Sequence, residues 1–197
     1  LITTGRISQK SLLFEDQHLE RLTKASRYFS FPFDPEELRQ KIEEECQACD
    51  SHQDYRLRII LSKSGEMELS RQILTPLSPS FCKAKLCLQE ADLNQSFTYF
   101  KTTHRPHLNL DKQEIIYHNA AGELLETSIG NLVLKIAGKL YTPPTSLGIL
   151  PGIYRQHLLE TGQVEEKVLT VPDLNQAEAV YGCNAVRGLY ELEVNSK

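Results

Sequence analysis

The sequence predicts an α+β protein with two lobes, and three observations lead to that fold class. Helix-forming segments prevail early in the chain, and short strand-like runs separated by turns prevail later. Between them, Thr75-Pro76-Leu77-Ser78-Pro79-Ser80 combines two prolines with small polar residues, which disfavours regular structure. We therefore predict a small α/β lobe over 1–75, a linker over 76–80 and a larger, strand-rich lobe over 81–197.

The small lobe is predicted to contain two helices and a hairpin. Apolar residues recur at helical spacing within His18–Tyr28, which predicts the first helix. An N-cap aspartate followed by a first-turn proline predicts a second helix over Pro35–Cys49. The stretch Tyr55–Ser62 alternates basic and apolar residues, and a Ser-Gly turn then leads to Glu66–Leu74, which predicts a β-hairpin.

The larger lobe is predicted to consist mainly of short strands. Their predicted bounds are Cys82–Leu88, Glu114–His118, Asn131–Ile136, Lys139–Thr142, Ala179–Asn184 and Gly188–Val194. Two helices are predicted among them, one from the Pro151-Gly152 step to Glu160 and one over Asp173–Ala179.

Composition and charge narrow the classes of function. The net charge of -4 provides no broad attraction to phosphate backbones, so we expect no nucleic-acid partner. No apolar run approaches the ~18 residues of a membrane helix, so we expect no membrane partner. The five cysteines lack framework spacing, which indicates a reducing, cytoplasmic location without disulfides or a metal site. Because the chain starts at Leu1 without an initiator methionine, we expect either a trimmed chain or a domain cut from a longer polypeptide.

Three segments carry residues suited to carbonyl chemistry. Lys101 lies between an aromatic pair and two threonines, and partial desolvation of an amine frees the neutral nucleophile. Glu126 follows a predicted turn at Ala121-Gly122. The glycine-bounded loop Gly148–Arg155 opens a helix whose N–H groups and dipole suit a phosphate. Taken singly, each also fits a plainer interpretation: a surface lysine, a solvated glutamate and an ordinary loop.

In their order and wording, these segments resemble the class IV aminotransferase family of pyridoxal-phosphate enzymes, which has the type IV fold. Within that family they are most similar to aminodeoxychorismate lyases, in particular the lyase domain fused to aminodeoxychorismate (para-aminobenzoate) synthase component I. The matching segments cover nearly the whole chain: Leu1–Arg6, His18–Leu22, Phe100–Arg105, Gly122–Asn131, Thr142–Arg155, Val164–Lys167, Asp173-Leu174 and Cys183–Gly188.

The resemblance implies a homodimer of two-lobed subunits, each with a pseudo-barrel larger lobe and pyridoxal 5'-phosphate in the cleft between its lobes. It implies that Lys101 binds the cofactor as a Schiff base and later acts as the base. Glu126 would lie opposite the pyridine nitrogen and keep it protonated. Thr4 matches a threonine that assists proton transfer in the lyases.

The same resemblance assigns cofactor and substrate contacts. Arg21 would hold the phosphate together with the backbone N–H groups of Ile153 and Tyr154, and Asn184 would close the phosphate side. The candidate substrate contacts, each of which also fits a solvated or structural role, are Arg58, Arg187 and His107.

The implied reaction converts 4-amino-4-deoxychorismate, a small-molecule substrate, to 4-aminobenzoate and pyruvate, in folate biosynthesis. The short stretch after Lys101 favours a lyase, although Thr3 replaces the glutamate usual in the family. His107 stands roughly where aminotransferases have a tyrosine. Two alternatives remain open: an aminotransferase for branched-chain or D-amino acids, and a non-catalytic domain that serves a fused or associated aminodeoxychorismate synthase.

Overall fold

The computed structural model describes residues 1–79, 81–89, 96–105, 108 and 113–194. It divides into two compact units. The first unit comprises Leu1–Pro76 and Phe100–Thr103, and the second comprises Leu77–Tyr99 and His104–Lys197.

The first unit packs two helices on an antiparallel sheet with the strand order β2-β1-β3-β4. Its elements are β1 (Ile2–Ser8), β2 (Ser11–Leu12), α1 (Glu15–Phe29), α2 (Pro35–Gln47), β3 (Tyr55–Leu61) and β4 (Met67–Ile73). Alternate residues of β3, namely Leu57, Ile59 and Leu61, are fully buried and belong to one apolar cluster with residues of both helices. This alternation follows from the two-residue period of a strand with one covered face.

Both predicted helices are present, and three of their boundaries differ: α1 begins and ends outside its predicted bounds, and α2 ends at Gln47 rather than at Cys49. The Asp34 side chain accepts hydrogen bonds from the backbone N–H groups of Glu36 and Glu37, as expected of an N-cap. The first helix begins three residues before its predicted start, at Glu15. Phe14 precedes it in a left-handed conformation with no side-chain cap, so the usual sequence signal of a helix start is missing. Strand β1 was not predicted.

The segment Phe100–Thr103 belongs to the first unit, whereas the sequence placed it in the larger lobe. The backbone N–H of Ile2 donates to the carbonyl oxygen of Lys101 at 3.0 Å. The Phe100 ring stacks on Tyr28 with centroids 4.5 Å apart and meets Phe29 edge-on at 5.4 Å. These contacts, made by residues far apart in sequence, explain why local patterns did not reveal the assignment.

The second unit forms a barrel-like sheet. Its elements are β5 (Lys83–Leu88), α3 (Ser96–Tyr99), β6 (Glu114–His118), β7 (Leu124–Thr127), β8 (Asn131–Ile136), β9 (Lys139–Thr142), α4 (Ile153–Glu160), β10 (Glu165–Glu166), α5 (Val171–Gln176), β11 (Ala179–Asn184) and β12 (Gly188–Val194). The strand order is β10-β9-β8-β11-β12-β5-β6-β7, and β7 also pairs with β8. Because β7 pairs with β8, a closed ring is formed by β8, β11, β12, β5, β6 and β7. This ring confirms the predicted pseudo-barrel.

Most predicted elements of this unit are confirmed with the same bounds, namely β6, β8, β9, β11 and β12. Helix α5 begins two residues early because Thr170 and Asp173 form a capping box that starts it at Val171. Cys46 and Cys49 of the first unit are buried side chains at the end of α2. Within the described part of the chain, no cluster of potential metal ligands and no helix able to cross a membrane is found.

Candidate active site

Lys101 lies in a short segment held against the start of β1. Its carbonyl oxygen is bound by Ile2, and its neighbour Phe100 is packed among aromatic rings. The side chain of Lys101 is half-buried. The backbone is therefore anchored on both sides of the lysine, which suits a residue that must present its amine in one direction.

His18 of α1 is the buried centre of a charged neighbourhood in the first unit. It is fully buried, and its Nδ1 forms a 2.6 Å hydrogen bond with Thr3 Oγ1. Burial, and to a smaller extent the positive charges of Arg21 and Lys101, lower the pKa of His18 to about 3. His18 is therefore neutral at physiological pH. Because the charges of Arg21 and Lys101 both act on the pKa of His18, the predicted phosphate ligand and the predicted nucleophile both lie near this histidine.

Thr4 and Arg58 lie opposite each other in neighbouring strands. They are paired in the register of β1 and β3. The Thr3 side chain faces α1, because its hydroxyl bonds to His18 of that helix. The side chain of the next residue, Thr4, therefore points to the opposite face of the sheet. The Nε atom of Arg58 is buried and has no hydrogen-bond partner among the residues that the structure describes. A buried guanidinium nitrogen without an acceptor is costly, so this face offers a donor to an anion.

Glu126 is a buried carboxylate in β7 of the second unit. It is 3% exposed, and Arg105 approaches its Oε1 at 3.5 Å. The Arg105 guanidinium therefore gives the buried Glu126 carboxylate a partner of opposite charge.

Helix α4 begins without a side-chain cap. Its N-cap is Gly152, and the first turn contains no acidic residue. The third helical residue, Arg155, is 2% exposed, donates to the Pro143 carbonyl at 2.8 Å and binds Glu166. The buried arginine fixes the helix start, at which the backbone N–H groups of Ile153 and Tyr154 lie. Such a terminus attracts anions.

The turn between β11 and β12 lies beside that helix start. Gly188 has a φ of +68°, and a Cβ added there would lie 3.4 Å from the Tyr154 ring. The Asn184 side chain accepts from the backbone N–H groups of Val186 and Arg187 and donates to the Ile129 carbonyl at 3.3 Å. The visible role of the Asn184 side chain is therefore to shape the turn.

Glu114 and Tyr190 stabilise the turn between β7 and β8 through hydrogen bonds. Glu114 is fully buried; its Oε1 accepts from the Ile129 N–H at 3.2 Å, and its Oε2 lies 3.4 Å from the Tyr190 hydroxyl. Burial raises the pKa of Glu114, and the pKa of Tyr190 is raised by burial and by Glu114. This pair fixes the residues that immediately follow Glu126.

The structure groups the predicted residues within each unit. Arg21, Thr4, Arg58 and Lys101 belong to the first unit, and the second contains Glu126, Ile153, Tyr154, Asn184 and Arg187. His107 lies outside the described residues.

Sequence reasoning assigned no role to His18, Arg105, Glu114 or Asn131. Their signal was weak, because no local pattern of the sequence distinguishes them from other polar residues. Only their contacts with distant residues show what they do.

Three comparisons with known proteins agree with this architecture. A family model described as amino-transferase class IV matches residues 1–193. Among curated proteins, the chain is 26% identical to aminodeoxychorismate lyase from Saccharomyces cerevisiae, over 74% of this chain and 53% of the lyase. The chain thus spans about half the length of that relative.

Solved structures share the fold over nearly the full length. A candidate amino-acid aminotransferase from Mesorhizobium loti superposes with a TM-score of 0.87 and 28% identity, covering 98% of each chain. A candidate 4-amino-4-deoxychorismate lyase from Haemophilus somnus has a TM-score of 0.77 and 23% identity, covering 96% of this chain and 97% of that one.

The fold and the grouped residues define a protein of the type IV pyridoxal-phosphate fold. The chain belongs to the amino-transferase class IV family. The family consists of pyridoxal-phosphate-dependent enzymes, which confirms the cofactor and the enzyme class predicted from the sequence.

Proposed function

We propose that this chain is an aminodeoxychorismate lyase domain, which converts 4-amino-4-deoxychorismate to 4-aminobenzoate and pyruvate. The observation that carries the proposal is the buried Glu126 carboxylate in the same unit as an uncapped helix start. These two features match the two ends of pyridoxal 5'-phosphate, its pyridine nitrogen and its phosphate. The similarity to the yeast lyase supports this activity.

The residues present fit the cofactor. Gly152 has no side chain that could occupy the N-terminus of α4, and the Ile153 and Tyr154 N–H groups there suit phosphate oxygens. Arg21 would add a guanidinium to the phosphate site. Lys101 would bind the cofactor covalently through its Nζ, and Glu126 would hold a proton at the pyridine nitrogen.

Pyridoxal 5'-phosphate, when bound, supplies an electron sink next to the carbon that carries the substrate's nitrogen. Lys101 Nζ removes the proton from that carbon. The carbon–oxygen bond to the enolpyruvyl group then breaks, and the ring becomes aromatic. The departing enolate takes up one proton at its methylene carbon and becomes pyruvate, so no water, oxidant or amino acceptor is consumed.

Two residues of the small sheet suit the substrate side of this reaction. The Thr4 hydroxyl, adjacent to Arg58 in the register of β1 and β3, would relay a proton between Lys101 and the reacting carbon. Arg58, whose Nε has no hydrogen-bond partner in the described part of the chain, would bind a substrate carboxylate. Asn184, which shapes the turn beside α4, would keep that turn closed over the phosphate. For Arg187 and His107, carboxylate binding remains a proposal that rests on the resemblance alone.

A turnover assay without a keto acid tests the proposal. We expect steady release of 4-aminobenzoate and pyruvate in equal amounts from 4-amino-4-deoxychorismate. Leucine and D-alanine should convert the bound aldehyde to the amine slowly or not at all. Rapid conversion by a simple amino acid, with no aromatic product, would instead identify an aminotransferase. A non-catalytic domain would give neither result.

A further inference from the structure

Asn131 stands where three segments of the second unit meet. It is the first residue of β8 and is 3% exposed. We propose that Asn131 is a positioning residue that aligns the N-terminus of α4 with Glu126, so that one cofactor can reach both. This inference rests on the proposed function and adds a residue that acts through its neighbours rather than by touching the substrate.

The side chain of Asn131 holds the loop before α4. Its Nδ2 donates to the Leu150 carbonyl oxygen at 2.8 Å in a buried hydrogen bond. Its Oδ1 packs so closely on Gly152 that any Cβ added to Gly152 would overlap it. The side-chain amide of Asn131 therefore contacts the peptides immediately before Ile153, where the first N–H groups of α4 lie.

The backbone of Asn131 holds the acid. Asn131 is the β8 partner of Glu126 across the β7–β8 turn. On its other side it is the partner of Cys183 in β11, whose successor Asn184 shapes the turn beside Tyr154. Asn131 therefore fixes Glu126 and the end of β11 through its backbone. It fixes the start of α4 through its side chain.

Few other side chains can do this. Leucine has the same branching but cannot donate to the Leu150 carbonyl, which would leave a buried acceptor unsatisfied. Aspartate would place a carboxylate oxygen against that carbonyl. Glutamine is one methylene longer and would push the Gly152 peptide outward in a well-packed region.

The test compares two probes that differ only in the phosphate. Pyridoxal 5'-phosphate and pyridoxal are titrated into the cofactor-free protein, and their affinities are measured by absorbance and by calorimetry. In Asn131→Ala, we expect affinity for pyridoxal 5'-phosphate to fall 10- to 100-fold and affinity for pyridoxal to fall less than threefold. The reason is that only the phosphate depends on the position of the α4 N-terminus.

The matched control is Thr170→Val. It removes the capping box of α5 and costs stability in the same unit, and the hydroxyl that it removes bonds to Asp173 at the start of α5. We expect Thr170→Val to lower the melting temperature while leaving the affinity ratio of the two probes unchanged. An unchanged ratio in Asn131→Ala would overturn the positioning role.

A second variant keeps the inference testable if Asn131→Ala does not fold. Gly152→Ala introduces the overlap with Asn131 Oδ1 and should selectively weaken pyridoxal 5'-phosphate. Full retention by Gly152→Ala would refute the contact. If the double variant Asn131→Ala/Gly152→Ala folds, it should bind pyridoxal 5'-phosphate more tightly than Gly152→Ala does. The reason is that the Asn131 amide no longer fills the space that the added Cβ needs.

These outcomes are distinct from failure of the proposed function. If the unmodified protein bound neither probe covalently at Lys101, the proposed function would fail before any variant was compared. If it bound both with equal affinity, the phosphate site would be misassigned. Only a selective phosphate effect that spares Thr170→Val supports Asn131 as the positioning residue.

Discussion

The two units present their candidate residues in different ways. In the first unit, Arg21 and Lys101 act electrostatically on a neutral, buried histidine, whereas Thr4 and Arg58 lie on the other face of the sheet, and what matters is the chemistry of each side chain. In the second unit, they lie at strand ends and turns tied together by hydrogen bonds, and what matters is backbone position. Only Glu126 in the second unit combines both properties, since it is a buried charge held by a fixed hairpin.

The comparison predicts which changes are tolerated. Substitutions in the first unit should act through the charge and the donor geometry of the single side chain that is changed, and should be insensitive to small shifts of the backbone. Substitutions in the second unit should act through backbone geometry even when charge is preserved.

Lys101→Ala should have the largest effect, because it removes the proposed nucleophile and base together. We expect turnover to fall at least about 10⁴-fold. Borohydride treatment of the unmodified protein should fix a pyridoxyl group on Lys101 alone, as detected by peptide mass spectrometry. The control is Lys139→Ala, which loses only an exposed ion pair with Glu165. A label on Lys139 would refute the assignment.

Glu126→Gln should come next. The change preserves shape but removes the charge that holds the pyridine nitrogen protonated, and we expect turnover to fall about 10²- to 10³-fold. Cofactor binding should change much less, because the phosphate grip is intact. Glu123→Gln, in the same hairpin and bound to Asn119, serves as the control and should turn over normally. Normal turnover by Glu126→Gln would remove the only proposed charge effect in the second unit.

The sequence predicted the second unit's strands better than it predicted its site. Strands such as β8 and β11 are apolar runs bounded by turns, a pattern that is local. The role of Asn131 depends on Leu150 and Gly152, about twenty residues away, and local patterns do not contain such contacts. In the first unit the position was reversed: Lys101 and Arg21 were recognised as charged candidates, but β1 was not predicted, because Thr3, Thr4 and Gly5 interrupt any alternation.

His18 makes the first unit sensitive to acid. Its pKa is near 3 when folded and near 6.5 when unfolded, so the stability contributed by the neutral, buried ring is complete above pH 6.5. That contribution is lost as the pH falls from 6.5 towards 3, at about 1.4 kcal/mol per pH unit.

We therefore expect His18→Asn to remove this dependence. The measurement is the free energy of unfolding in urea at pH 7 and pH 5, where the unmodified protein should lose about 2 kcal/mol more than His18→Asn does. His52→Asn, on the surface of the same unit, should behave like the unmodified protein. Parallel losses in His18→Asn and the unmodified protein would mean that another group controls the acid response.

Arg21→Lys should give the smallest effect. It tests whether a side chain of the first unit acts by its charge alone or also by the geometry of its donors. The substitution keeps the positive charge near His18 but replaces a bidentate donor with a point charge, which cannot bind two phosphate oxygens in the same geometry. If the first unit acted by charge alone, the cofactor would be retained. We instead expect about tenfold faster loss of cofactor on dialysis, with the melting temperature of the cofactor-free protein unchanged. Arg27→Lys, exposed on the same helix, is the control and should retain the cofactor fully. Equal retention by Arg21→Lys and Arg27→Lys would make Arg21 a surface charge, and would leave the phosphate to the backbone N–H groups of the second unit.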